Sequence, residues 1–409
     1  MTITNAKQRI LAERLLLPIA LALAILFDRL MVANIFQDLT FFSAIFWLCY
    51  LAIFYAFYWS KLKRDSVAWF VAICVTALCI WNFAFGQSGH NWQFAAITFF
   101  VIPAVLMAHA QWTACGFTLK NSEGMALAWI FGAFVKPFTG LVPLFEAVGS
   151  LFTKKNRPLA LRVLIGAGVA VVVMAVIIPL LMGADQVFNH YISRIFANFN
   201  IRSLLFHLTV IIIAFGLFYS FLWNIGMGEN KIRRIPEKFA IDPVISGIVL
   251  GSVILIYILF CIIQFTYLFA GAGLPAGLTY AEYARAGFAQ TVAVCAINLL
   301  IFGIFLRFGP KEAGRKFLRA LLMALLALTV VMLISGAVRL NLYIEVFGMT
   351  WLRLLSAWFI LYMAATVALC AIRLFWKRLP VLVLAALLLL IWYVALGYLN
   401  PDAFIAWFN

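Results

Sequence analysis

The sequence is short of charge, and above all of negative charge. Of its 409 residues only 11% are Asp, Glu, Lys or Arg, and just 14 are acids, whereas 67% are apolar. A water-soluble domain of this size could not hide so much apolar surface, so the expected solvent is lipid. Signatures of soluble catalysis are also missing: there is no Walker loop, dinucleotide-type glycine fingerprint, HExxH pair or GxSxG elbow. The four histidines, His90, His109, His190 and His207, lie in separate segments, which argues against a metal site, and no cofactor is expected. His109 and His207 sit near the ends of apolar runs, where a hydrogen-bonded or interfacial role outweighs proton carriage. The seven cysteines fall in apolar runs or beside lysine-bearing segments, away from any oxidising compartment, so no disulfide is expected. Cys74 and Cys79 fall on different faces of a helix, which argues against a metal pair. No low-complexity tract and no exposed loop longer than about 20 residues leaves room for a soluble domain.

What is present is a series of apolar runs near the ~20 residues needed to cross hydrocarbon. Eleven can be counted, at 15–34, 41–60, 67–85, 92–109, 159–181, 203–224, 244–270, 287–306, 317–338, 351–372 and 379–399. They lack the alternation of barrel strands, so helices are expected to satisfy the backbone. The first run is long enough to span and ends in Asp28-Arg29 with no small-residue cleavage pattern, which reads as a signal anchor.

The +16 net charge raises the question of nucleic acid, and the positions of the basic residues answer it. With the N-terminus placed inside, 24 of the 30 Lys and Arg fall on cytoplasmic segments, and every lysine is among them. Only Arg29, Arg194, Arg202, Arg285, Arg339 and Arg353 fall outside, matched there by six of the 14 acids, so the whole excess is internal. This is the positive-inside pattern. The partners it implies are the phospholipid bilayer and anionic lipid headgroups at the cytoplasmic face, not nucleic acid.

The stretch 125–152 is apolar but interrupted by Lys136-Pro137, which leaves two arms too short to span. A single crossing there would also carry every later basic segment outside. The fold class is therefore an all-α integral membrane protein of about eleven transmembrane helices plus a cytoplasmic-side re-entrant or interfacial hairpin, N-terminus inside and C-terminus outside. The charged linker 228–243 divides a region of six spans and the hairpin, 1–227, from one of five spans, 244–409. A plasma membrane, the inner one in a Gram-negative cell, is the expected location. No internal repeat is visible between the two regions.

The outer segments of the second region carry the candidate site. In Thr279-Tyr-Ala-Glu-Tyr-Ala-Arg285, Thr279 and Glu282 have capping-box spacing, which predicts the start of a short helix bearing Tyr280, Glu282, Tyr283 and Arg285. The segment 339–353, read as the link between the ninth and tenth spans, adds Arg339, Tyr343, Glu345 and Arg353 at the same membrane depth, and Asn400-Pro-Asp402 ends the last span. Guanidinium groups suit bidentate binding of phosphate or carboxylate. The competing reading is structural: Arg and acid pairs near helix ends tie loops together, and Tyr and Trp there form the interfacial belt.

These same segments carry a resemblance. Gln264-Phe-Thr-Tyr-Leu-Phe269, the Thr279 to Arg285 stretch, Arg339 with Leu342-Tyr-Ile-Glu345, Gly348-Met-Thr-Trp-Leu-Arg353 and Asn400-Pro-Asp-Ala-Phe-Ile-Ala406 resemble an uncharacterised family of bacterial multi-pass membrane proteins, the domain of unknown function 4153/4173 type. The likeness is specific over the last five spans and looser before them, where Phe27-Asp28 is the best point. It implies architecture and carries no activity. The leading functional expectation is thus an envelope protein that binds, senses or transports a small anionic or lipid-headgroup ligand at the outer Arg/Glu/Tyr site. A membrane-embedded enzyme modifying a lipid or glycan carrier, with Glu282 or Glu345 as base, is the first alternative. A non-catalytic partner of an envelope or signalling protein is the second.

Overall fold

The computed structural model describes residues 6–33, 39–59, 66–85, 92–116, 122–152, 157–184, 201–228, 241–264, 280–310, 314–376 and 378–409; no strand occurs among them. They divide into two compact units, residues 1–118 with 124–233, and residues 119–123 with 234–409.

In the first unit α1 (Ala6–Leu26) runs into a π-helical turn, Phe27–Val32, followed by α2 (Leu39–Tyr58), α3 (Ser66–Phe85) and α4 (Trp92–Cys115). Three shorter helices, α5 (Ser122–Phe134), α6 (Lys136–Thr139) and α7 (Leu141–Gly149), precede α8 (Arg157–Ala184) and α9 (Ile201–Met227). The second unit holds α10 (Pro243–Gln264), α11 (Tyr280–Phe308), α12 (Arg315–Phe347), α13 (Trp351–Phe375), α14 (Val381–Tyr398) and the short α15 (Pro401–Phe408).

Ten of these helices are long and apolar enough to cross a bilayer. The eleventh expected span is α3: its helix has 20 residues, but its described apolar stretch, Val67–Asn82, is shorter than a full crossing. Large apolar side chains cover the outside of the helices, as a lipid solvent requires, and α8 buries none of its apolar window within the unit.

Side-chain contacts fix the helix directions in each unit. In the first, Trp223 Nε1 of α9 donates to Glu13 Oε1 of α1 (3.1 Å), and near the other ends of the same two helices His207 meets Asp28, so α1 and α9 are antiparallel. Tyr58 at the end of α2 donates to Leu222 O of α9 (2.6 Å). In the second unit Ile241 N donates to Phe308 O (2.6 Å) and Arg319 lies over the Phe375 ring, which gathers the start of α10, the end of α11, the start of α12 and the end of α13 at one lysine-rich end. Neutral polar ties cross this bundle. Tyr257 donates to Asn298 Oδ1 (2.7 Å), Asn298 Nδ2 to Thr329 Oγ1 (2.9 Å), and the indoles of Trp358 and Trp392 each donate to the other's backbone carbonyl.

The segment 122–152 enters and leaves at the lysine-rich end of its unit. Trp112 near the end of α4 donates to Met125 O (3.4 Å), and Arg14 near the start of α1 donates to Ser150 Oγ (2.9 Å) and to its carbonyl. Its deepest contacts, Trp129 Nε1 to Ala104 O and Leu141 beside Gly216, lie about 16 Å from the ends of α4 and α9 at 1.5 Å per residue. The break falls at Lys136-Pro137 as the sequence requires, though the arms meet at 51°, a shallower bend than a hairpin's reversal.

One boundary differs from expectation in a way that matters for the site. The residues read as a loop after 338 continue α12 to Phe347, because nothing breaks the helix before Gly348, whose φ of 71° turns the chain. The helix expected near residue 280 is likewise the first turns of the 29-residue α11. Thr279 lies outside the described residues, as does most of the Gln264 to Phe269 motif.

Candidate functional site

The lysine-free end of the second unit is built by two consecutive antiparallel pairs. Between α11 and α12, Asn298 bonds Thr329, and a Cβ on Gly336 would sit 3.6 Å from Thr291, so the register brings the first turns of α11 level with the last turns of α12. The backbone segment holding Tyr280, Glu282, Tyr283 and Arg285 therefore starts beside the segment holding Arg339, Tyr343 and Glu345; the side chains of the first four lie outside the described residues.

Arg339 is only 4% exposed, and its Nη2 reaches Ser335 Oγ one turn back (3.5 Å). Tyr343 follows one turn on, along the same face of α12. From the start of α13, Arg353 lays its guanidinium over the Tyr343 ring, 4.1 Å from the centroid, and donates to Phe347 O (2.8 Å) and Gly348 O. Those carbonyls belong to the end of α12, where unpaired acceptors and the negative end of the helix dipole favour a cation. Arg353 is thus held by the turn it closes.

Glu345 points elsewhere. It accepts from Asn341 Nδ2 (2.6 Å) on the opposite face of α12. The structure brings Arg339, Tyr343 and Arg353 together on one face and leaves Glu345 off it. Around the turn, Asn409 Oδ1 accepts from Met349 N (2.7 Å) and its Nδ2 donates to Met349 O (3.0 Å), while Phe404 and Ile405 of α15 pack on Leu340, Ile344 and Leu354. Asn400, with φ 48°, makes the reversal that allows α15 to fold back.

The first unit holds a second polar constellation that the sequence did not single out as a site. Asp28 sits in the π-helical turn with no exposed side-chain surface; its Oδ1 is 2.7 Å from His207 Nδ1, and Arg29 Nε lies 3.9 Å from Oδ2. One-turn π segments recur at functional sites because they re-aim side chains out of the α register. Phe27, Phe46 and Phe218 pack around this junction of α1, α2 and α9. Tyr55 and buried His109 make a ring-to-hydroxyl bond (2.7 Å) between α2 and α4. At the lysine-rich end, Lys136 Nζ donates to Gln111 Oε1 (2.8 Å), and its carbonyl accepts from both Ser220 Oγ and Asn224 Nδ2. The signal was present in each case as a lone polar residue within an apolar run, but the partners are on distant helices. Among the described residues no three His, Cys, Asp or Glu gather as metal ligands.

Residues 69–409 match the model of a family described as domain of unknown function (DUF4153). The chain belongs to that family. No curated protein and no solved structure matches it. The DUF4153 match opens within α3 and takes in the whole second unit's helical bundle, so every residue of the Arg339 site lies inside it. Of the Asp28 pair, His207 lies inside and Asp28 before it.

Proposed function

We infer that this multi-pass membrane protein binds, and thereby senses or moves, a small anionic group such as a lipid headgroup at the lysine-free end of its second unit. The observation that carries this reading is the burial of Arg339. A guanidinium keeps its charge at any physiological pH, so Arg339 fixes a cation on this face beside Tyr343. Tyr343 one turn on, with Arg353 over its ring, gives the same face a second cation and a polar rim. Guanidinium forks match phosphate and carboxylate oxygens in pairs. The absence of lysine from this end supports reading it as the outer end in a plasma membrane, as the positive-inside pattern would have it.

The test is thermal unfolding of the full chain in a neutral detergent, with short-chain phosphatidic acid against phosphatidylcholine of the same chain length. Only the anionic lipid should stabilise the protein, by about 2.7 kcal/mol at a hundredfold excess over Kd. Arg339→Gln should cut the response well below the parent's, and Arg162→Gln, in α8 of the first unit, should leave it unchanged. A folded Arg339→Gln protein that responds like the parent overturns the reading.

A second reading, proton-linked movement of a solute, is favoured by the buried Asp28–His207 pair. Arg29 belongs to the π turn itself; of the elements packed on it, α2 carries no charged residue, α9 carries Arg202 and His207, and the charged residues of α1, Lys7, Arg9, Glu13 and Arg14, lie toward its far end. Proton uptake by vesicles containing the protein that survives Asp28→Asn would sink it.

A further inference from the structure

On the face of α12 opposite Arg339, α12 and α13 diverge to leave a groove of about 430 Å³, within the ~300–1,000 Å³ typical of small-molecule sites. Met323, Ala327 and Ile334 line one wall, Ile360, Ala364 and Ala371 the other, and no polar side chain contributes to either. From Met323 to Ala337 the α12 wall is about 21 Å long at 1.5 Å per residue. One leaflet of hydrocarbon is about 15 Å deep, half of the ~30 Å core, so the groove can take a single acyl chain along its whole length.

The two ends of the groove differ. Toward the lysine-free end it closes under Ala337 and Ile360, which pack into the apolar cluster of Leu340, Met349 and Phe404. Toward the lysine-rich end its last lining residue on α12 is Met323, and exposed Arg319 stands one turn before it on the same stripe. The Arg319 guanidinium rests 4.8 Å above the ring of Phe375, which is one turn beyond Ala371 on α13. Arg315 and Lys316 are exposed in the first turn of α12, and that turn has no side-chain cap on its N–H groups, so the helix dipole adds positive potential there.

We propose that the α12–α13 groove binds one anionic phospholipid, its acyl chain lying between Met323 and Ala371 and its phosphate meeting Arg319, Arg315 and Lys316. Charge complementarity picks the occupant. A transmembrane helix of a second copy would fill the apolar wall without matching the three cations at the mouth, whereas a lipid headgroup brings an anion at the depth where the chain ends. The stacking of Arg319 on Phe375 holds the guanidinium at the mouth rather than letting it extend into water. This site is separate from the one around Arg339 and stands without it.

Native mass spectrometry of the full chain, released from detergent with palmitoyl-oleoyl phosphatidylglycerol or the matching phosphatidylcholine, tests it. The parent protein should retain one phosphatidylglycerol, with a preference of about fivefold over phosphatidylcholine for each basic contact near the headgroup. Arg319→Gln, at an exposed position, should erase most of that preference. Ala364→Leu and Ala368→Leu fill the groove from exposed positions and should remove the bound lipid of either kind, while Leu361→Phe on the same helix but off the groove should leave it. An unchanged lipid count in both groove variants, or an unchanged preference in Arg319→Gln, overturns the proposal. So does a dimer that the groove variants dissociate, which would give the groove to a second copy. Loss of the Arg339 response with retention of this lipid separates the two sites.

Discussion

In the first unit, buried ionisable side chains cross from helix to helix: Asp28 to His207, Glu13 to Trp223, Tyr55 to His109 and Lys136 to Gln111. In the second, Asn298, Thr329, the Trp358–Trp392 pair and Asn409 make neutral ties between helices, and the charged ties of Arg319 and Arg353 lie near the ends of α12 and α13. In lipid a charge between helices must find its partner in a neighbour, because no water can reach it. Charges in the first unit are therefore committed to holding helices together. A guanidinium at a helix end can exchange one acceptor for another without unfastening the bundle, which is why the proposed anion site falls in the second unit.

That contrast can be broken most forcefully at His207. Replacing it with alanine leaves Asp28 buried without its ring partner and should cost about 3–5 kcal/mol of stability in detergent unfolding. Combining His207→Ala with Asp28→Asn should cost much less than the sum of the two, and strict additivity would mean that the pair is not a unit. Gly140→Ala comes next. A Cβ there would lie 2.6–2.8 Å from Ser220 Oγ, O and Cα, so α6 must move off α9, at about 1–3 kcal/mol. In the second unit the corresponding losses should be smaller. Asn409→Ala gives up two hydrogen bonds to Met349, each worth about 0.5–1.5 kcal/mol net. Arg353→Gln loses the stacking on Tyr343 and the bonds to Phe347 O and Gly348 O, and should cost about 1–2 kcal/mol, measured the same way. An Arg353 loss as large as that of His207 would erase the distinction between the units.

Much of the architecture was legible in sequence because lipid imposes a single rule, a long apolar run for each crossing. The break at Lys136-Pro137 was legible too, since proline restricts the residue before it. The pairing of Asp28 with His207 was not, because it depends on the antiparallel register of α1 and α9, helices 179 residues apart at that contact. Nor was the extension of α12 through Arg339 to Phe347: the charged and polar residues there look like the end of a span, yet none is a helix breaker. That extension decides the site. On a helix, Arg339 and Tyr343 share a face, while Asn341 and Glu345 share the other, a separation that residues read as a loop do not reveal. Of the four candidates on α12 and α13, it sets Arg339, Tyr343 and Arg353 on one face and Glu345 off it.

Which end of the second unit faces outward decides what the buried Arg339 can meet. The direct measurement is labelling of single introduced cysteines in intact cells with a membrane-impermeant maleimide. Asn341→Cys, at the lysine-free end of α12, should label without permeabilisation, and Lys316→Cys, at its lysine-rich end, only after it. The reverse pattern would place Arg339 on the cytoplasmic side and contradict an externally presented ligand.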